Sequence, residues 1–450
     1  MGKSIGPEAA ISASRGQRRI FAVTWVTYAG FYLCRKNLSI ALPALHSASG
    51  MGSLQLANIV FGYSLLYALG QFGCGFLSDR FGPGRVVGTG LVLIVASNLL
   101  MGFHGAPLWL LVFACVNGIG QSTGWSGLVK IMASWFSSRK RGIVMAWWGT
   151  NYVLGGFLAT AFATWAVSQQ WLFPGLGWRL GFLLPAGVLA VVAVPFFLMI
   201  RDTPEAAQPE DSAELAIATG ITLDEHPNHS AWREVRALLG NRAIWLTGAS
   251  YFFLEMCRYA LMFWLPYYMV NRLHYGLTAS GYLSSLYELV GVVGAVAAGY
   301  ISDHWMQSRR APVSALMLCG FSVVILALMG TAGLGPVAIG VAISLAGMLS
   351  YGPDTLLSGA AAQDIGQAKA AATASGLIDG IGHLGSLISP YLVIFVSERY
   401  GWDRLFLVFA AAGFAAAGML IPLWNLKPSD HSETLGSPLQ SLDQEMTTNL

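Results

Sequence analysis

Arg35 lies in the apolar run 20–45 and Arg258 in the apolar run 244–270. In a chain that crosses a bilayer, a cation at the centre costs at least about 2.5 to 3.5 kcal/mol on insertion scales. Such a group faces water or an anion. Two guanidinium groups present forked donors that match phosphate or carboxylate oxygens, a geometry lysine does not reproduce. The alternative is two structural ion pairs, for example Arg258 with Glu255 one turn before it. Lys36 follows Arg35 directly and, on a helix, points roughly 100° away from it. It is either a cavity residue or half of a structural pair.

Four acids lie inside apolar runs: Glu255, Glu288, Asp354 and Asp379. In a carrier such groups serve as proton sites, as counterions to the arginines, or as contacts for a cationic group on a substrate. Glu288 stands in the glycine-rich YELVGVVG and is expected to pack or gate. Asp354 follows Pro353, which removes a backbone donor and is expected to break its span near the middle. His383 is a cavity donor, a pH sensor or simply a hydrogen-bonded core histidine. Tyr32 and its aromatic neighbours near these charges line a cavity or pack helices; the sequence leaves both open.

No enzyme constellation appears. The chain lacks GxxxxGK[ST] and HExxH, so nothing suggests ATP-driven or metalloprotease chemistry. Its five cysteines lie in apolar runs without a CxxC pair or a nearby histidine cluster, which excludes a zinc-site reading. No catalytic residue, metal, cofactor or nucleic-acid partner is expected.

The elements that position these residues follow from composition. Of 450 residues 55% are hydrophobic and only 10% charged, against roughly 25% charged in a soluble domain. With a mean hydropathy of +0.58, and runs long enough for a bilayer core that takes about 20 helical residues, the chain reads as an all-α membrane protein. Charge and Gly/Pro punctuation divide it into twelve spans. Six lie in 20–200 and six in 244–424, joined by an acidic linker, 201–243, and flanked by polar tails, 1–19 and 425–450. Seventeen Lys and Arg fall on the side of the tails and linker and four on the other, which places both termini in the cytoplasm.

The halves echo each other. GFLSDR with Asp79 recurs as GYISDH with Asp303, and Arg35 recurs as Arg258 at an offset one residue shorter. A duplicated six-helix unit places its substrate site between the halves near the membrane midplane, so that both arginines face one cavity.

Motifs at these places carry a family resemblance. GFLSDRFGPGR (75–85) resembles the loop signature of the major facilitator superfamily. The resemblance implies two six-helix bundles, with Asp79, Arg80, Arg85 and Asp303 in a cytoplasmic gating network. YLCRKNLSIALPAL (32–45), with NGIGQSTGW, RYALMFWLP, YELVGVVG and SYGPDTLLSGAAAQ further on, resembles the organophosphate:phosphate antiporters within that superfamily, which include glycerol-3-phosphate and hexose-phosphate transporters and glucose-6-phosphate translocases. It implies that Arg35 and Arg258 bind substrate phosphate. It further implies import of an organic phosphate in exchange for inorganic phosphate, through a monomer in the inner (plasma) membrane. Asn151 stands where bacterial members have histidine, Gln71 where lysine is common, and Glu255 and His383 where tyrosine is common. Fewer cations and added acids leave room for a substrate that carries an amine. Two other functions fit the same residues: a sensor of this fold signalling to a membrane kinase, and a proton-coupled symporter of organic anions.

Overall fold

The computed structural model describes residues 7–426 apart from 204–235 and positions 137, 170, 172, 237 and 332. The remaining linker and tail residues and the Asp79 side chain lie outside the described residues. Every regular element among the described residues is helical. The helices are α1 (Pro7–Ser49), α2 (Ser53–Phe81), α3 (Pro83–Phe103), α4 (Pro107–Trp135), α5 (Ser138–Ser168) and α6 (Leu180–Met199) in the first half. The second half has α7 (Arg242–Asn271), α8 (Leu277–Tyr300), α9 (Arg310–Thr331), α10 (Pro336–Thr355), α11 (Ala362–Tyr400) and α12 (Trp402–Leu420).

Eight of these helices hold a stretch long and apolar enough to cross a membrane. The other four, α1, α4, α5 and α7, are the ones that carry Arg35 and Lys36, Asn117 and Gln121, Asn151, and Glu255 and Arg258. Their lower hydropathy reflects polar residues turned toward other helices, since Asn117, Gln121, Asn151 and Glu255 are all buried.

Local chemistry sets where helices begin. Gly82, at φ 88°, and Gly335, at φ 89°, each precede a proline at the first helical position. Only glycine adopts that backbone cheaply, and proline there gives up an N–H that has no helical partner anyway. The break expected at Pro353 does not occur. Helix α10 runs through it to Thr355, and the irregularity follows as π-helical turns over Leu356–Ala361 that lead into α11. Proline this close to the end of a helix removes one hydrogen bond, and the wider turns after it absorb the change in register.

The packing repeats. In the first half α1 packs on α5 and α6, α2 on α4, and α3 on α4 and α6; in the second α7 packs on α11 and α12, α8 on α10, and α9 on α10 and α12. Adding six to each helix number turns one set into the other. A Cβ on Gly118 of α4 would collide with the Tyr63 carbonyl of α2, and one on Gly347 of α10 with the Tyr287 carbonyl of α8. Both helix pairs therefore touch backbone to backbone at a small residue, at corresponding places.

Between the halves α5 packs on α8, α2 on α11 and α1 on α7. Away from the termini these contacts are tight: Ser53 and Tyr267 hydroxyls stand 3.3 Å apart, Tyr391 donates to Asn58 at 3.0 Å, and Thr164 crowds Gly281. Toward the terminal end, a Cβ on Gly73 of α2, Gly149 of α5, Gly299 of α8 or Gly376 of α11 would meet nothing within 4 Å. The tight contacts between the halves lie at the end away from the termini.

Candidate functional site

Arg35 is held from below by its own neighbours. Gln121 on α4 donates to the Phe31 carbonyl at 2.9 Å and accepts from Arg35 Nε at 3.3 Å. One amide thus anchors α1 and aims the guanidinium. Asn117, one turn earlier, donates to the Cys34 carbonyl at 2.9 Å. Arg35 Nη1 donates to the Tyr32 hydroxyl at 3.4 Å, and its guanidinium carbon lies 4.8 Å from the Tyr32 ring and 4.7 Å from the Tyr67 ring of α2. Cation–π contacts of this kind orient the group without neutralising it. The residue is only 6% exposed, and among the described residues Nη2 has no hydrogen-bond partner and the side chain pairs with no carboxylate.

Arg258 stands differently. Its Nη1 pairs with Glu255 one turn earlier on α7 and donates to Asp354 of α10 at 2.6 Å. Tyr251 donates to the same Asp354 oxygen at 2.8 Å, and the guanidinium carbon lies 4.6 Å from the Tyr351 ring. The counterion reading and the cavity reading thus meet in one cluster. Lys36 pairs with Glu288 of α8, which also accepts from Thr160 of α5 at 3.1 Å. Both partners are buried, and the pair joins the halves.

The other expected residues fall around these three cations. His383 on α11 stacks on Tyr67, centroids 5.7 Å apart, and so shares that ring as a neighbour with Arg35. Its Nδ1 meets the Asp379 carbonyl at 2.8 Å, while Nε2 is buried without a partner among the described residues. Asn151 is fully buried, and neither side-chain atom has a hydrogen-bond partner among the described residues. Gln121, Tyr67, Tyr251 and Tyr351 complete the site and were not singled out from sequence. The signal available for three of them was their place in or beside the motifs NGIGQSTGW, RYALMFWLP and SYGPDTLLSGAAAQ.

The expected gating residues lie at the terminal end, apart from this cluster. Arg80 and Arg85 are exposed, with Arg80 over the Phe81 ring at 5.6 Å. Asp303, just past α8, pairs with Arg310 of α9, which also donates to Asp364 of α11 at 3.1 Å and to Ser302 at 3.0 Å. That network ties three helices of the second half together.

Long apolar helices in two echoing sets, closed at one end over a buried cluster of charges, define a membrane carrier rather than an enzyme. Residues 24–390 match the Major Facilitator Superfamily, and the chain belongs to that family. It is 28% identical over 432 residues to a glycerol-3-phosphate transporter of Bacillus subtilis, covering 92% of this chain and 94% of the relative. It is 26% identical over 420 residues to a probable hexose phosphate transport protein of Chlamydia trachomatis, covering 90% and 91%. A glucose-6-phosphate exchanger, SLC37A2, of Xenopus tropicalis is 26% identical over 471 residues, covering 90% and 91%. The organophosphate-carrier resemblance read from the motifs is borne out by these names. The fold matches a bacterial homologue of the human lysosomal transporter Spinster, inward-facing and unoccupied, with a TM-score of 0.69 at 13% identity, covering 91% of this chain and 95% of that one.

Proposed function

We propose that the chain is a secondary transporter that imports an organic phosphate in exchange for inorganic phosphate. Arg35 carries this reading: it is buried, oriented by Gln121 and two tyrosine rings, free of any carboxylate among the described residues, and has one guanidinium nitrogen unsatisfied. The names of the relatives supply the substrate class. Arg258 is the second phosphate ligand once substrate competes with its carboxylates, and Tyr32, Asn151 and His383 supply further polar contacts. All twelve helices span the inner membrane as two six-helix bundles, 20–200 and 244–424, that rock about the site. The linker and both termini are cytoplasmic, so the end opposite the tight contacts between the halves faces inward. Asp79, Arg80, Arg85 and Asp303 belong to the gate at that end, and the protein acts as a monomer. Substrate drives the exchange of states by binding them differently, with no covalent chemistry.

The test is uptake of labelled inorganic phosphate into phosphate-loaded proteoliposomes. Exchange by the intact protein, reduced at least about tenfold in Arg35→Lys and Arg258→Lys because the forked donors are lost, supports the reading; exchange unaffected by both variants sinks it. A second reading, proton-coupled symport of an organic anion, is favoured by the two carboxylates on Arg258, since protonating them frees the guanidinium. Flux that follows the proton gradient and ignores internal phosphate distinguishes it.

A further inference from the structure

The charges of the site are unevenly divided between its walls. On the first half, Lys36 is neutralised by Glu288, which leaves Arg35 as an uncompensated cation among the described residues. On the second half, Arg258 meets two carboxylates, Glu255 and Asp354, where one would neutralise it. Asp379 lies one turn before His383 on α11 and forms no ion pair among the described residues. Glu255 reaches the same stretch of α11, since a Cβ on Gly382 would stand 3.2 Å from its Cγ. One wall therefore has a cation in excess, and the facing wall has two more carboxyl groups than cations.

A sugar or glycerol phosphate satisfies the first wall and adds negative charge beside the second. In a site shielded from water, like charges repel much more strongly than in solvent. A guest with an anion at one end and a cation at the other satisfies both. The separation is small: Arg35 and His383 both lie against the Tyr67 ring, 4.7 and 5.7 Å from its centroid, and Asp379 is one helical turn from His383. The unpartnered Nη2 of Arg35 marks the anionic end independently of the acids.

We propose that the organic substrate is a short zwitterion, a phosphate or phosphonate whose carbon chain ends in a protonated primary amine. Its anionic head sits on Arg35, and its ammonium sits among Glu255, Asp354 and Asp379. The proposal rests on the transporter reading and narrows it.

The experiment uses the full chain in phosphate-loaded proteoliposomes, with labelled phosphate uptake inhibited by matched pairs. Phosphoethanolamine is compared with propyl phosphate, and 2-aminoethylphosphonate with propylphosphonate; the first pair reports on esters and the second on phosphonates. The amine-bearing member of at least one pair is expected to inhibit at about tenfold lower concentration, a discrimination equivalent to about 1.4 kcal/mol. That ratio is expected to fall toward one in Asp379→Asn and in Glu255→Gln. The wild-type ratio stands by itself should a variant fail to fold. Robust phosphate exchange with equal inhibition within both pairs overturns the proposal while leaving the transporter reading intact. Absence of exchange removes that reading instead, and thermal stabilisation of the purified protein by the same pairs then decides. A larger shift with the amine supports the zwitterion, and equal shifts overturn it.

Discussion

Glu288 on α8 reaches across the boundary between the halves to pair with Lys36 on α1, so the lysine beside the free Arg35 is already engaged by a carboxylate. Both side chains are buried. Adjacent residues on one helix thus have opposite states, one cation neutralised and one open, because consecutive side chains point to different neighbours.

Removing one member of this pair leaves a buried charge uncompensated. Lys36→Met or Glu288→Leu alone is expected to destabilise the protein by about 3 to 5 kcal/mol, whereas the double variant recovers most of the loss. Unfolding midpoints of the four proteins in detergent measure the cycle, and additive losses would contradict the pairing.

Gln121→Leu removes the acceptor of Arg35 Nε and the donor to the Phe31 carbonyl together. Two lost hydrogen bonds at a buried site are expected to cost about 1 to 3 kcal/mol of stability. Phosphate affinity is expected to fall about tenfold because the guanidinium is no longer aimed. The expected kinetic signature is a raised KM for phosphate with a smaller change in maximal rate.

The close helix contacts admit no side chain. Gly347→Ala drives a methyl into the Tyr287 carbonyl and Gly118→Ala does the same at Tyr63. Each is expected to cost about 1 to 3 kcal/mol through forced backbone shifts. Gly376→Ala, where the methyl meets nothing within 4 Å, serves as the control and should leave the unfolding midpoint nearly unchanged.

Closure away from the termini is testable by cross-linking. A Cβ on Gly281 stands 2.8 Å from that of Thr164, and a small relaxation brings the two to the roughly 3.8 Å of a disulfide. The pair Thr164→Cys with Gly281→Cys is expected to oxidise readily, join the halves across a protease site placed in 204–235, and abolish exchange until reduced. Exchange that persists with the bond formed would show that this end need not open.

Much of the site was legible in the sequence because burying a charge in an apolar run is costly enough to mark it. Arg35, Arg258, Lys36, Glu255, Asp354 and His383 all fall in or around the central cluster, and Glu255 one turn before Arg258 was a visible partner. Asp354, 96 positions from Arg258, and Glu288, on the far side of the half boundary from Lys36, were visible only as unplaced acids. The continuity of α10 through Pro353 is not legible in the sequence, because proline's local cost says nothing of how the next turns take up the slack.

Composition and spacing suffice to make this chain a helical membrane protein with a duplicated plan and charges too costly to lack a purpose. Those conclusions follow from residue type and spacing along one chain. Tertiary structure alone decided that Arg35 is open, that Lys36 is closed by Glu288, and that Arg258 is held by two carboxylates. Charges act through the distance between them, and for residues on different helices that distance is set by packing rather than by position in the sequence.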